Sequence, residues 1–283
     1  AEEAEQRRAL DQTWLAQPAL GAADFALSSL FRDVGIAPDM VGGHSYGEYV
    51  ALCAGGSLTF PELIRISERR GRVIQETQGR DAIGMVAVRA NTDALAGSRV
   101  AIAGRNAPMQ AIIGGPRAAI EAVLPRLDAA GMSYQVLPMS AGFHIPDARP
   151  AADRFAEILG EIRFAAPEIP IYSNSTAGEY PSENGAIGRM LIEHLTQPVR
   201  FQDQIEAMYA AGARTFIEVG PGQVLSGLVR QILGERRALV LTANPRGSTS
   251  AVEDFLKVLA RLFVHGAALR WERLFAGCEI PSV

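Results

Sequence analysis

The spacing of apolar positions changes period several times along this chain, and each change marks an expected boundary. Helical spacing runs through residues 5–16 and again through 18–34, with a break expected at Gln17-Pro18, where the proline would open the second helix at its first turn. Gly35-Ile36-Ala37-Pro38 ends that helix, and a short apolar strand is expected over 40–43, with the helix packed beneath it. A helix-compatible run from Glu48 to Cys53 follows and is closed by Gly55-Gly56. Thr59-Phe60-Pro61-Glu62 then reads as an N-cap with a proline just inside a new helix, which reaches about Gln75.

From Ile83 the period shortens. Strand-like runs fall at 84–88, 99–103, 110–114 and 134–138, with a helix over 117–130 and a short one over 92–96. This order is that of a βαββαβ-like inserted subdomain, placed at 83–145. After Pro146 the longer elements return, as helices over 148–161, 185–196, 199–211, 223–233 and 249–262 and strands over 170–174, 214–219 and 238–242. Strands alternating with helices predict an α/β fold with a parallel sheet covered on both faces. Residues 1–82 and 146–275 are expected to form one core around the insert, and 276–283 to begin a linker.

Composition narrows the function classes. The 283 residues are 48% hydrophobic and 20% charged, the balance of a globular protein with a sizeable core. The net charge is −4 and the basic residues form no stripe, which argues against nucleic-acid binding. Cys53 and Cys278 stand far apart without metal-ligand spacing, so neither a disulfide framework nor a metal site is expected. The opening Ala1–Arg8 is polar and no apolar run reaches membrane-spanning length, so a cytoplasmic location is expected.

Candidate chemistry centres on Gly43-His44-Ser45-Tyr46-Gly47, a Gly-x-Ser-x-Gly pattern between a strand and a helix. Small residues there let the backbone turn sharply and lift the serine hydroxyl. The same five residues also suit an ordinary tight turn. A serine nucleophile needs a base, and only four histidines are present. The side chain of His44 should point away from Ser45; His265 falls late in a helix, and His194 at a helix C-terminus, where its dipole role is common. His144 lies on the connection back from the insert, where it could reach a cleft or stand as a satisfied loop residue.

A set of motifs in one order sharpens this. Trp14 with Gln17-Pro18-Ala19, Gly43 to Tyr49, Arg70-Gly71, Gly104 to Gln110, Leu137 to His144, Pro198 to Phe201 and Glu218 to Gly222 resemble the acyltransferase family. That family includes malonyl-CoA:acyl carrier protein transacylases and the acyltransferase domains of polyketide and fatty acid synthases. The resemblance covers about residues 5–275 and implies a hydrolase-like α/β core with a ferredoxin-like insert. It implies Ser45 as nucleophile, His144 as base and the backbone carbonyl of His194 as the group orienting His144, at a position where the family often has an amide side chain. It implies the Tyr46 backbone N–H as an oxyanion donor and Arg70 as the partner of a malonyl carboxylate. Gln17 would line the acyl pocket, with Asn106 near it. Arg65, Arg69 and Arg72 would be a solvated helix face.

Phe143, before His144, matches malonyl-selective members, while Ala141, Gly142 and Tyr46 depart from the common residues. The Ser45-Tyr46 elbow and the segment ending in His144 further resemble enediyne-type iterative synthases. Family members also open with a Gly-Gln-Gly loop that supplies the second oxyanion donor; nothing before Trp14 resembles it, so that segment is expected outside this sequence. The implied activity transfers a malonyl unit from malonyl-CoA to the phosphopantetheine thiol of an acyl carrier protein, with no bound cofactor and with neighbouring synthase domains as partners. Two other readings of the serine motif are an esterase or thioesterase of the α/β-hydrolase type, in which the histidine comes late in the chain, and a non-catalytic docking domain.

Overall fold

The computed structural model describes residues 10, 12–77, 83–90, 100–137, 142–247 and 249–276. Its fold is α/β. Helix α1 (Thr13–Asp33) leads to strand β1 (Val41–Gly42), the short helix α2 (Gly47–Ala54) and helix α3 (Phe60–Thr77). An antiparallel unit follows: β2 (Ile83–Val88), β3 (Ala101–Ala107), β4 (Gln110–Pro116), α4 (Arg117–Ala129) and β5 (Tyr134–Val136). The chain then returns through a 3₁₀ turn, Pro146–Ala148, to α5 (Arg149–Leu159), β6 (Ile171–Tyr172), α6 (Asn184–His194) and α7 (Phe201–Ala210). Strand β7 (Thr215–Pro221), α8 (Val224–Leu233), β8 (Leu239–Asn244), α9 (Ala251–Val264) and α10 (Trp271–Leu274) complete it.

Two expectations are corrected. Pro18 does not divide the first helical region, since it lies within α1. A proline there forfeits one backbone hydrogen bond, but α1 is clamped along α3: a Cβ on Gly71 would lie 2.4 Å from the Trp14 Cα. Tertiary packing outweighs the local break. The single parallel sheet is replaced, among the described residues, by two parallel pairs, β1 with β6 and β7 with β8. Strand pairs this short are steadied by the helices around them, and α1 packs against β7, α2 and α3. The expected helix over 92–96, Cys278 and all but residue 276 of the expected linker lie outside the described residues, and α10 was not foreseen.

The antiparallel unit has strand order β3-β4-β2-β5 and a core of its own, with Val86, Ile113, Ile120 and Leu127 buried between sheet and α4. Strand β3 runs four residues beyond its expected end, through a bulged segment that the sequence hides because Arg105 and Asn106 interrupt its apolar run. That extension joins the two halves of the molecule: the Val199 N–H donates to the Ala103 carbonyl and the Arg105 N–H to the Val199 carbonyl. Thr59 caps α3 as expected, with its backbone N–H donating to Glu62 and the Glu62 N–H returning to its hydroxyl, a reciprocal capping box.

Candidate active site

Ser45 stands where β1 turns into α2. A Cβ on Gly43 would lie 2.0 Å from the Gly47 carbonyl carbon, so only glycine fits there, whereas a Cβ on Gly47 would meet nothing within 4 Å. The first glycine of the motif is required by sterics and the second is not. Ser45 itself has φ +53°, a left-handed conformation costing about 1–3 kcal/mol for a residue with a side chain. It is held there from behind: the Ser45 N–H donates to Asn174 Oδ1 at 2.6 Å. Asn174 Nδ2 donates to the Gly43 carbonyl (2.7 Å) and to Gln204 Oε1 (2.6 Å), and Gln204 Nε2 donates to the Tyr172 carbonyl (2.7 Å).

His144 reaches Ser45 from the connection after the antiparallel unit, with Nε2 2.6 Å from the serine Oγ. Its Nδ1 donates to the His194 carbonyl at 2.7 Å, and its backbone N–H to the Leu195 carbonyl at 2.8 Å. A carbonyl can only accept, so the proton of the neutral ring sits on Nδ1 and the lone pair of Nε2 faces the hydroxyl. Burial, aided by the positive charge of Arg70, pushes His144 down to about 3, so the ring is neutral at physiological pH.

Arg70 is 1% exposed. One of its nitrogens, Nη1, donates to Gln17 Oε1 at 2.9 Å, while Nε and Nη2 are buried without a hydrogen-bond partner among the described residues. Leaving such donors unmet costs about 1–3 kcal/mol or more, which marks a place for an acceptor. The guanidinium carbon lies 5.3 Å from the Tyr49 ring centre and 5.7 Å from that of Phe143. The other arginines of α3 face outward: Arg69 pairs with Glu161, Arg72 pairs with Glu68 and covers Trp14, and Arg65 is exposed.

The remaining candidates fall around these groups. The Tyr46 N–H is at the start of α2, where backbone donors have no partner within the helix. The Tyr46 hydroxyl is bonded to Ser67 Oγ at 2.7 Å, which turns its bulk into the core and away from Ser45. Asn106 Oδ1 is 2.8 Å from His44 Nε2, so Asn106 supports the residue beside Ser45. His265 caps the C-terminus of α9 and is exposed. The stretch before Trp14, where no Gly-Gln-Gly loop was found, lies outside the described residues except for Leu10, Gln12 and Thr13.

Sequence reasoning missed Asn174 and Gln204, whereas Glu48 is expected from the sequence to stabilise the elbow through hydrogen bonds or the first turn of its helix. Glu48 is fully buried and accepts from Ser173 Oγ, the Asn174 N–H and the Tyr180 hydroxyl. The available signal was the polar run Ser173-Asn174-Ser175 directly after an apolar strand, since sites of α/β proteins collect at the carboxyl ends of parallel strands. A cavity of about 1020 Å³ also opens between the two strand pairs; His44, Tyr46 and Gly47 line it, but Ser45 and His144 do not. Among the described residues no group of three metal-ligating side chains is assembled, and no helix is long and apolar enough to cross a membrane.

Known proteins share this arrangement of sequence. The chain is 35% identical to the phenolphthiocerol synthesis polyketide synthase type I Pks15/1 of Mycobacterium marinum, over 97% of this chain and 13% of that protein. It thus spans a small part of the synthases it matches. It is 33% identical to the malonyl CoA-acyl carrier protein transacylase of Bacillus subtilis, over 86% of this chain and 80% of that one. Among solved structures, the acyltransferase domain from the second module of the salinomycin polyketide synthase superposes with a TM-score of 0.87 at 31% identity, covering 97% of this chain and 66% of that one. Residues 3–269 match the description "Acyl transferase domain", and the chain belongs to the acyl transferase domain family.

Proposed function

We propose that this chain transfers a malonyl group from malonyl-CoA to the phosphopantetheine thiol of an acyl carrier protein, through an ester on Ser45. The observation that carries the reading is a neutral histidine on the Ser45 hydroxyl in the same buried site as an arginine with two unmet donors. His144 Nε2 takes the hydroxyl proton as Oγ attacks the thioester carbon; the oxyanion forms at the Tyr46 N–H. The tetrahedral adduct collapses, the C–S bond breaks, and the departing CoA thiolate takes the proton back from His144. The carrier thiol then gives its proton to His144, attacks the serine ester, and Ser45 Oγ leaves with that proton. The chemistry uses side chains and backbone alone.

Arg70 would hold the malonyl carboxylate in a bidentate pair, with Gln17 fixing the guanidinium. Phe143 beside it would crowd a 2-methyl substituent, a discrimination of about 1–3 kcal/mol. The fold assigned with this function is a hydrolase-like core, 1–82 and 146–275, with a ferredoxin-like insert over 83–145. The strand order β3-β4-β2-β5 and its antiparallel pairing support the insert. Neighbouring domains of a polyketide synthase are the assigned partners beside the carrier, supported by the match to a segment of such a synthase, and the assigned location is cytoplasmic. Hydrolysis as the main activity is disfavoured by the order of the chain, in which His144 precedes half of the sequence.

Incubation with malonyl-CoA followed by intact-mass measurement tests this. A malonyl adduct that is absent in Ser45→Ala and passes to a carrier protein is the expected result. Prompt release of free malonate would indicate a hydrolase, and no adduct at all would defeat both. Arg70→Ala should lower malonyl loading at least tenfold more than acetyl loading; equal losses would remove Arg70 from the role.

A further inference from the structure

Behind His144 lies a group that takes no part in the proton transfers of the proposed reaction. Glu48, on the first turn of α2, is fully buried three residues after the nucleophile. Three donors converge on it: Ser173 Oγ at 3.2 Å and the Asn174 N–H on Oε1, and the Tyr180 hydroxyl on Oε2. A carboxylate accepts all three, whereas a protonated carboxyl would need an acceptor of its own. The next group around it is the ring of His194, whose Nδ1 is 3.7 Å from Glu48 Oε2. That ring is also fully buried, neither of its nitrogens has a hydrogen-bond partner among the described residues, and its centre lies 4.5 Å from the centre of the His144 ring. Glu48, His194 and His144 therefore form a row leading from a buried carboxylate to the base.

A buried charge needs an opposite charge close by. Arg70 donates to the neutral Gln17, and its charge acts on Glu48. We propose that Glu48 is the counter-ion of this site: it balances Arg70 while the site is empty, and balances the imidazolium of His144, through the ring of His194, once a substrate carboxylate occupies Arg70. The proton itself moves only between Ser45, His144 and the thiols, so Glu48 is a positioning residue that acts by its charge. The charged and titratable groups facing Glu48 are Arg70 from α3, Tyr49 from its own helix, Tyr180, and His194 from α6 with His144 behind it. Burial raises Glu48 to about 7, so its charge, and with it the rate, should rise as pH increases through that value.

This inference rests on the malonyl-transfer reading, and two variants separate the two. In Glu48→Gln the oxygen that accepts from Ser173 and Asn174 is kept and the charge is lost. Steady-state transfer should then show a kcat at least tenfold lower and a KM for malonyl-CoA several-fold lower, because Arg70 no longer has a resident counter-ion. The rise of kcat with pH through about 7 should vanish. His194→Asn keeps the backbone carbonyl that orients His144 and leaves all three donors on Glu48, so it answers the question even if Glu48→Gln does not fold. It should lower kcat several-fold with KM unchanged and shift the same limb. Losses in kcat and KM that are equal at every pH would make Glu48 a structural residue and overturn the inference. So would an unchanged kcat and pH limb in His194→Asn. A wild-type chain that never takes up malonyl would instead defeat the functional reading on which it rests.

Discussion

Ser45 and His144 share one backbone oddity, a left-handed conformation at a residue with a side chain, with φ of +53° and +62°. They are held in it by opposite means. Ser45 is fixed by side chains from across the sheet, through Asn174 and Gln204, while His144 is fixed by the main-chain carbonyls of His194 and Leu195 at the end of α6. Side-chain support is exposed to point mutation. Main-chain support survives a change of side chain as long as the helix end keeps its place. This explains how the position whose carbonyl holds the His144 ring tolerates a histidine where the resembled family often has an amide.

Four measurements would break or sharpen that contrast. Asn174→Ala should have the largest effect, because it strips the Ser45 N–H, the Gly43 carbonyl and Gln204 of a partner at once. With about 1–3 kcal/mol for each buried group left unmet, we expect a loss of about 3 kcal/mol or more in denaturant unfolding, and Ser45 acylation at least a hundredfold slower. Gln204→Ala should cost less, about 2 kcal/mol, since Asn174 keeps its bonds to Ser45 and Gly43; a loss as large as that of Asn174→Ala would mean that the network acts as one unit. Asn106→Ala removes a single bond to His44, and about 1 kcal/mol is expected.

The smallest change in stability near neutral pH, under about 1 kcal/mol, should come from His194→Asn, because the carbonyl on His144 remains. Its signature is the pH dependence. The fold holds His144 and His194 below their ordinary value, at about 3 for His144, so the unfolded chain binds protons that the folded one refuses. At His144 this costs about 2 kcal/mol of stability by pH 5, and His194 acts in the same sense as pH falls below 6.5. Glu48 and Asp24, raised by burial to about 7, act in the opposite sense, because protonation favours the fold as pH falls. They are present in both proteins, so the smaller drop in Tm between pH 7 and 5 expected for His194→Asn isolates the histidine. An undiminished drop would show that His194 is not held neutral.

What could be read from the chain follows from how local each feature is. The elbow was legible because steric need at Gly43 leaves a glycine in the sequence, and α3 because its capping box lies within four residues. Arg70 could be told from Arg65, Arg69 and Arg72 by the resembled motif, and the structure places it alone in the buried interior. The Pro18 break failed because local propensity is a weaker force than the close packing of α1 on α3. Asn174 was signalled only by its polar run after an apolar strand, and Gln204 not at all, because an amide on a helix looks the same whether it faces water or a buried partner.

By itself the sequence determined the α/β alternation, the inserted antiparallel unit and the residues able to carry the chemistry, since these depend on period, turn residues and side-chain type. Only the tertiary structure decided which polar groups lost their water. Burial makes His144 neutral, leaves Arg70 with donors unmet among the described residues and sets Glu48 behind His144, and burial is a property of how distant segments pack.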